Sequence, residues 1–559
     1  MVIVRKNLID TAISKAYALI DFNVHDDIHK QNEFQKQIIL ADESLTEDEK
    51  SEAMRILTVT YDENKILFNE GTRRVCENCN QECLATTYCE HCIRNYLKTN
   101  FSNWTSENDV IDILIQEYQM QTFVPDNIIE WIPYDNFKKI KYLTEGGCSE
   151  IYTATWIDGH FIEWDSKDQQ LKRFGKQGVI LKRLENVKSS NKSWFDEARS
   201  HLYISNKWPD VVIQCYGLTC DPLNNSYMLV MNLMDTDLRK YLQKNHNKLT
   251  WKERIQITLD IIDALFRIHN ENMIHRDLHS GNILSRIGGK FIISDLGFCG
   301  PTNKPLKSVY GNLPYIAPEV IAGNETTFKS DIYSVAMLMW EISSGKPPFF
   351  NYEYDYDLIM NIINGIRPKI VPGTPLKYKN LMTQCWDANP LNRPNIKTLQ
   401  NKIRELNLYY QNHPNKLNQL KENDSFENDS SERYTNSWLF TSKIFRFENL
   451  PEPRNATKEE QAAFHSNRSY NFYIPNNVNG FDKVNNRMNN LTKRSGNVRA
   501  SNKCSLKISK ENSINDIREI MQPLKKYHTI NDYNDEICDS PNLHSEEQDK
   551  LELPNSLDK

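Results

Sequence analysis

Long apolar runs are missing from this sequence: no stretch of its 559 residues approaches the roughly 20 that a bilayer-spanning helix needs. The opening Met1-Val2-Ile3-Val4-Arg5-Lys6 leads into mixed sequence and lacks the apolar stretch of a secretory signal, so a cytoplasmic protein without a membrane span is expected. A basic excess is missing too. The 68 Lys and Arg residues face 74 Asp and Glu, and a net charge of −6 with a pI near 6.2 leaves no electrostatic footprint for nucleic acid or an anionic membrane surface. Asn423, Asn428 and Asn455 open N-x-S/T triplets, but without a secretion route these read as chance in an Asn-rich tail. A disulfide framework is also not indicated. Of the twelve cysteines, five crowd between Cys76 and Cys92 and the rest are scattered, which favours a metal over staples.

What is present begins with helices. Over residues 1–70, Ile9, Ala12, Ile13, Ala16 and Ile20 recur at the spacing of one helix face, and Thr46-x-x-Glu49 has the form of a capping box before Ala53, Ile56 and Leu57. Residues 71–100 carry Cys76-x-x-Cys79 and Cys89-x-x-Cys92, which offer four thiolates to one tetrahedral Zn²⁺. The nine-residue gap between the pairs is shorter than the usual ribbon spacing of about 15–20. Cys83 could replace one ligand, and a redox pair or unliganded buried thiols stay open. With all four positions taken, such a metal would be structural. Residues 101–136 read as a helix and linker. Ser106 is expected to cap a helix whose Val110, Ile113, Leu114 and Tyr118 share a face, and Trp131-Ile132-Pro133-Tyr134 is expected to run extended, because proline disfavours helix in the residue before it.

From Phe137 the pattern changes to short β-rich runs, with a polar stretch over 157–178 read as an insertion before the strand Val179-Ile180-Leu181-Lys182. Phe195, Ala198 and Leu202 turn a helix face inward around Glu197, and Thr250-x-x-Glu253 caps a helix carrying Ile255, Leu259, Ile262 and Ile268. Then come ten residues of a different kind, His275-Arg276-Asp277-Leu278-His279-Ser280-Gly281-Asn282-Ile283-Leu284, followed by Ser294-Asp295-Leu296-Gly297. Phosphoryl transfer needs little covalent chemistry from a protein; it needs a hydroxyl positioned and phosphate charge neutralised. Asp277 suits acceptance of a hydroxyl proton, and Asn282 with Asp295 supplies the hard oxygens that Mg²⁺ prefers beside phosphate. Downstream, Thr302, Ser308 and Tyr310 are hydroxyls that could take a phosphate, with Arg276 as a cationic partner. After about Asn412 the composition shifts to Asn, Ser, Lys and Glu with few apolar runs, so 411–559 is expected to be a disordered tail.

The order of these motifs, with Ala317-Pro318-Glu319, Ser330-Asp331, Trp340-Glu341, Cys385-Trp386 and Arg393-Pro394, resembles a protein kinase of the tyrosine-kinase-like group over residues 137–410. The helical preamble, the Cys cluster, the Glu130-Trp131-Ile132-Pro133-Tyr134 junction and the kinase-like region together resemble the expanded kinase family of arbuscular mycorrhizal fungi. The resemblance implies an α+β, two-lobed kinase fold, with a small β-rich lobe and a large helical lobe, behind a helical Cys-rich N-terminal region. It also implies ATP and Mg²⁺ as cofactors, protein substrates, and serine/threonine specificity; a tyrosine or dual-specificity kinase and a nucleotide-binding pseudokinase scaffold are the alternatives. Lys182 would hold the α- and β-phosphates, paired with Glu197. Thr144, Gly146, Ser149 and Ile151 would cover the nucleotide, although Thr144 and Ser149 stand where the family has glycine. Met231, as gatekeeper, and Leu233 would contact adenine. Arg393 would pair with Glu319. His279 stands where many serine/threonine kinases have lysine, and either contacts the γ-phosphate or hydrogen-bonds the loop. The N-terminal region and the tail are the places where a partner could dock.

Overall fold

The computed structural model describes residues 5–122, 124–145, 149–184, 193–286, 289–297, 299–301, 309–413, 442–445 and 450–466. Helices Lys6–Ala18, Ile28–Leu40 and Glu47–Phe68 bury a shared core of Ile9, Ala12, Ala16, Ile39, Leu45, Ala53 and Leu57. The Thr46–Glu49 capping box forms as expected, and Glu49 also takes the Arg5 guanidinium at 2.7 Å. The next helix differs from expectation. It spans Asp109–Gln121 with Asn108 as its cap, whereas Ser106 sits in the turn before it, bonded to Asn108 and the Asp112 carboxylate. Its buried face is accordingly Ile111, Leu114, Ile115 and Tyr118, leaving Val110 and Ile113 half-exposed.

The small lobe is a six-stranded sheet in the order Glu130–Trp131, Cys215–Asp221, Ser226–Asn232, Gln177–Arg183, Glu150–Trp156, Phe137–Glu145. The extended Glu130–Trp131 segment pairs in parallel with Cys215–Asp221, so the preamble supplies an edge strand of the sheet. The polar stretch read as an insertion contains a hairpin, Phe161–Asp165 with Gln170–Arg173. It is not merely polar. Trp164 and Leu171 fall on one face and pack into a core with Cys76, Cys83, Tyr88, Cys92, Ile93 and Leu97, so this hairpin and the Cys-rich segment cover each other.

The large lobe is built on the buried helices Trp251–Asn270, Phe328–Ser344, Leu376–Cys385 and Ile396–Asn412. Thr250 and Glu253 form the expected capping box, and Ile255, Leu259, Ile262 and Ile268 are all buried beneath it. Arg393 meets Glu319 through two bonds of 2.7 Å with its guanidinium fully buried. The first N-terminal helix rests on this lobe, where the Tyr17 hydroxyl donates to Asp263 at 2.8 Å.

Three segments of the stretch from 411, read from composition as disordered, are ordered. The last large-lobe helix runs on to Asn412; Lys443–Phe445 is a strand antiparallel to Val309–Gly311; and Lys458–His465 is a helix with its own capping box, Thr457 and Glu460. Composition misjudged these segments because their ordering comes from main-chain and polar bonds to the large lobe. Arg454 N donates to Ile363 O (3.0 Å), Gln461 to Gly365 O (2.7 Å), and the Ala388 amide to Asn455 (2.9 Å). Trp438-Leu439-Phe440 and Tyr470-Asn471-Phe472-Tyr473-Ile474-Pro475, short apolar islands of the tail sequence that could dock on a partner or on the kinase-like region, lie outside the described residues. No described helix is long and apolar enough to cross a membrane.

Candidate active site

The loop around Asp277 is held from below by one carboxylate. Asp331, at the start of the Phe328–Ser344 helix and 1% exposed, accepts from the amides of His275 (2.8 Å) and Arg276 (3.0 Å) and bonds the His269 ring at 2.9 Å. Those bonds hold Arg276 at φ 69°, a left-handed conformation that costs about 1–3 kcal/mol when unsupported. Asp295 is similarly held at φ 54°. Sequence reading noted Ser330-Asp331 only as a family landmark; its role as the anchor of the loop needed the fold.

Above the loop, Lys182 projects from the strand Gln177–Arg183, opposite Ile151 on one side and Leu229 on the other. Its ammonium is 2.8 Å from Glu197 Oε1 and 2.6 Å from Asp295 Oδ1. Burial disfavours the lysine's charge, but the two carboxylates outweigh it and raise its pKa; Asp295, despite its own burial, is drawn well below the carboxylate range by Lys182. Gly297 lies against this cluster, where an added Cβ would meet Glu197 Oε1 at 3.1 Å. His201, buried and shifted down to about 3, is a neutral ring whose Nε2 accepts from the Leu296 amide at 3.1 Å. It was not singled out from sequence, and nothing in its local pattern marks it.

Asp277 is 4% exposed. Burial, then the neighbouring Asp295 charge, push its carboxyl up to about 7, although bonds from Ser442, Asn282 and the Asn312 amide pull the other way. A group poised near neutrality suits proton transfer at physiological pH. Asn282 donates through Nδ2 to the Asp277 carbonyl at 2.9 Å, which fixes the side chain that was read as a metal ligand. His279 caps the Ser280–Asn282 turn. Its Nδ1 accepts from the Gly281 amide (3.1 Å), and burial, with Arg239 nearby, lowers its pKa to about 3. The neutral ring therefore carries its proton on Nε2. That nitrogen meets the hydroxyl of Ser442, a tail residue that no sequence motif marked, at 3.1 Å; the same hydroxyl donates to Asp277 Oδ1 at 2.8 Å.

The other expected residues are spread around this centre. Thr144 pairs with Ile151 in the first hairpin of the sheet, Ser149 is buried, and Gly146 lies outside the described residues. Met231 is buried and Leu233 about a third exposed, at the end of the strand that leads to the large lobe. Of the three hydroxyls read as able to take a phosphate, those of Thr302 and Ser308 lie outside the described residues, and Tyr310 is buried opposite Ile444 of the tail strand. Gly311 beside it has φ 142°, and a Cβ there would lie 3.1 Å from Ile316 and 3.4 Å from Asp277 Oδ1, so only glycine fits.

A second constellation lies in the Cys-rich segment. The sulfurs of Cys76, Cys79, Cys89 and Cys92 all fall within 4.8 Å of one another, with Cys76–Cys92 at 3.7 Å and Cys79–Cys89 at 3.6 Å. Four thiolates bound at about 2.3 Å in a tetrahedron would sit about 3.8 Å apart, so the set fits zinc. Burial raises the Cys76 thiol, but the amides of Cys79 and Asn78 more than offset it and bring it down to about 7. Cys83 lies near Cys89 and Glu90, outside the four-sulfur set, and His91 turns away to the Glu82 carbonyl.

Comparison with known proteins matches this architecture. The sequence model of a family described as protein tyrosine and serine/threonine kinase aligns with residues 137–403. The chain is 31% identical over 192 residues to the dual specificity protein kinase zakA of Dictyostelium discoideum, covering 31% of this chain and 25% of that protein. It is 26% identical over 238 residues to the dual serine/threonine and tyrosine protein kinase of Apis mellifera, 39% of this chain and 24% of that one. With the probable serine/threonine-protein kinase roco5 of Dictyostelium discoideum, identity is 26% over 326 residues, 54% of this chain and 11% of the relative. The aligned region thus spans a quarter or less of each of these relatives, and their names divide between serine/threonine and dual specificity.

Proposed function

We propose that the protein kinase domain of residues 137–403 is catalytically active and transfers the γ-phosphate of ATP to serine and threonine hydroxyls of protein substrates in intracellular signalling. The observation that carries this reading is the cluster of Lys182, which is buried, with the partly exposed Glu197 and Asp295, assembled beside a base, Asp277, whose carboxyl is held near neutrality. Lys182 binds the α- and β-phosphates once they compete for it with Asp295. Asp277 orients the acceptor hydroxyl and takes its proton. Asn282 and Asp295 would hold Mg²⁺, which supplies charge neutralisation on the phosphates. Serine/threonine preference is supported by the seryl hydroxyl of Ser442, which donates to the base at 2.8 Å. Placement in the tyrosine-kinase-like group, and within the fungal expansion, rests on the motif order and on the preamble that precedes it.

The test is γ-phosphate transfer by purified protein with Mg²⁺-ATP and myelin basic protein, followed by phosphoamino-acid analysis. Phosphoserine and phosphothreonine are expected; phosphotyrosine alone would refute the specificity, and absence of transfer would refute the activity. For the Cys-rich segment, a structural Zn²⁺ held by Cys76, Cys79, Cys89 and Cys92 is proposed from the sulfur spacing. Metal analysis should find one zinc per chain, and chelation should deprotect the amides of the 161–173 hairpin that packs on it. A zinc-free, fully protected chain would refute that site.

A further inference from the structure

The tail strand reaches the catalytic base, and the manner in which it does so is that of an acceptor. Lys443–Phe445 adds to the strand Val309–Gly311 in antiparallel register, with Lys443 opposite Gly311, Ile444 opposite Tyr310 and Phe445 opposite Val309. Strand addition fixes the height of the residue before it, because backbone pairing sets register and register sets which side chain faces the loop. That residue is Ser442. It is 7% exposed, and its hydroxyl lies in a directed chain: His279, whose Nδ1 accepts from the Gly281 amide, donates from Nε2 at 3.1 Å, and Ser442 Oγ donates its own proton to Asp277 Oδ1 at 2.8 Å. The oxygen is thus left with a lone pair while its proton already points at the base. The segment beyond is pinned independently by the bonds of Arg454, Asn455 and Gln461 to the large lobe, and 29 residues, 413–441, connect Ser442 to the end of the Ile396–Asn412 helix.

We infer that Ser442 is an intramolecular phosphoacceptor: the chain phosphorylates its own tail on this hydroxyl. This rests on the protein-kinase reading above. In the step, Ser442 Oγ attacks the γ-phosphorus of a nucleoside triphosphate bound with a divalent cation; the Ser442 proton passes to Asp277; the bond from the γ-phosphorus to the β–γ bridging oxygen breaks; and the nucleoside diphosphate leaves with that electron pair. Tethering makes the reaction unimolecular, which replaces protein concentration with a fixed effective concentration. The product places a phosphoserine dianion beside Asp277 and near Asp295, and like-charge repulsion there drives the strand off Val309–Gly311. While unmodified, the strand covers the base; after one turnover the site is open to other acceptors.

The experiment uses the full chain, dephosphorylated and then given Mg²⁺-ATP, with phosphopeptide mapping over time and myelin basic protein as the external acceptor. A tagged Asp277→Asn chain is mixed in as a bystander. Phosphate at Ser442 is expected at a rate unchanged over about a tenfold dilution, with the bystander unlabelled at Ser442. Ser442→Ala should lose that phosphopeptide, and Ser442→Thr should restore one at the same position. Labelling of the external acceptor with Ser442 unmodified would overturn the inference and leave the kinase reading standing. A Ser442 rate that rises with concentration, or labelling of the bystander, would overturn its intramolecular character. Transfer to neither acceptor would overturn both readings.

Discussion

The loop that carries Asp277 and the tail segment that carries Ser442 meet within one hydrogen bond, yet they are ordered by opposite means. The loop is buried and internally determined. Asp331, itself bonded to His269, binds its main chain from the Phe328–Ser344 helix, Asn282 and Ser294 bind it from nearer in sequence, and left-handed Arg276 persists inside it because those bonds support it. The tail segment has no core of its own. Its strand is three residues long and its helix eight, both too short to persist in isolation, and each exists through bonds to a surface already built. The proposed chemistry therefore sits on an internally bonded loop, and the occupant of the site on a segment held only by its bonds to the large lobe.

The strongest test of this contrast removes the chemistry while leaving the clasp. Asp277→Asn is expected to lower the rate of transfer to myelin basic protein by about 10²–10⁴-fold, the range lost with a positioned general base. Because Asn still accepts a hydrogen bond from Ser442, amide protection of 442–445 should survive. Loss of both together would mean that the strand is held by the Asp277 charge and not by its register with Val309–Gly311. Next in size is Arg393→Leu. It leaves the Glu319 carboxylate buried without its two 2.7 Å bonds, and losing one partner of such a pair costs about 3–5 kcal/mol. Denaturant unfolding of the kinase domain should show that loss as a global shift in midpoint. An unchanged midpoint would place this pair outside the cooperative core.

Much of the first region was legible in the sequence. Lys182, Glu197, Asp277, Asn282 and Asp295 come from segments up to 113 residues apart, yet sequence reading singled out each of them, and the fold brings Lys182 to Glu197, its expected partner, and also to Asp295. The two Cys pairs stood out by their spacing, and the fold brings their four sulfurs within 4.8 Å of one another. What could not be read were contacts between distant segments with ordinary composition. Trp164 and Leu171 lie in a polar stretch and gain meaning only opposite Tyr88 and Ile93. Ser106 had the right chemistry for a cap, but Asn108 was better placed, and the buried face of the following helix turned with it. Ser442 carries no signal at all: one serine in a Ser- and Asn-rich stretch becomes singular through the register of a strand that composition gave no reason to expect.

Two smaller perturbations probe the clasp alone. Gly365 has φ 88°, and a Cβ there would stand 2.2 Å from the Ala456 amide nitrogen and 2.3 Å from the Arg454 carbonyl. Gly365→Ala should cost about 1–2 kcal/mol for the left-handed backbone alone. Because the clash is with tail main chain that can move away, hydrogen exchange should speed across 454–466 before any large-lobe helix is affected. Uniform loss of protection across the lobe would show that the clasp and the lobe open as one unit.

The finest test sets two copies of one motif against each other. Thr457 caps the Lys458–His465 helix by accepting from Glu460 N at 3.2 Å while Glu460 accepts from Thr457 N at 2.8 Å; Thr250 and Glu253 make the same pair of bonds at the start of Trp251–Asn270. Replacing either threonine with alanine removes about 1 kcal/mol, roughly a fivefold change in an equilibrium. In the eight-residue tail helix that loss falls on a local opening, so exchange within 458–465 should quicken about fivefold in Thr457→Ala while the catalytic loop is untouched. In the twenty-residue helix, whose middle is buried among Ile255, Leu259, Ile262 and Ile268, the interior amides exchange only when the lobe unfolds. Thr250→Ala should therefore leave their ranking intact and shift them only together, through global stability. If the two substitutions gave the same local signature, the tail helix would be as deeply integrated as the core, and the division between a fixed catalytic loop and a detachable occupant would not hold.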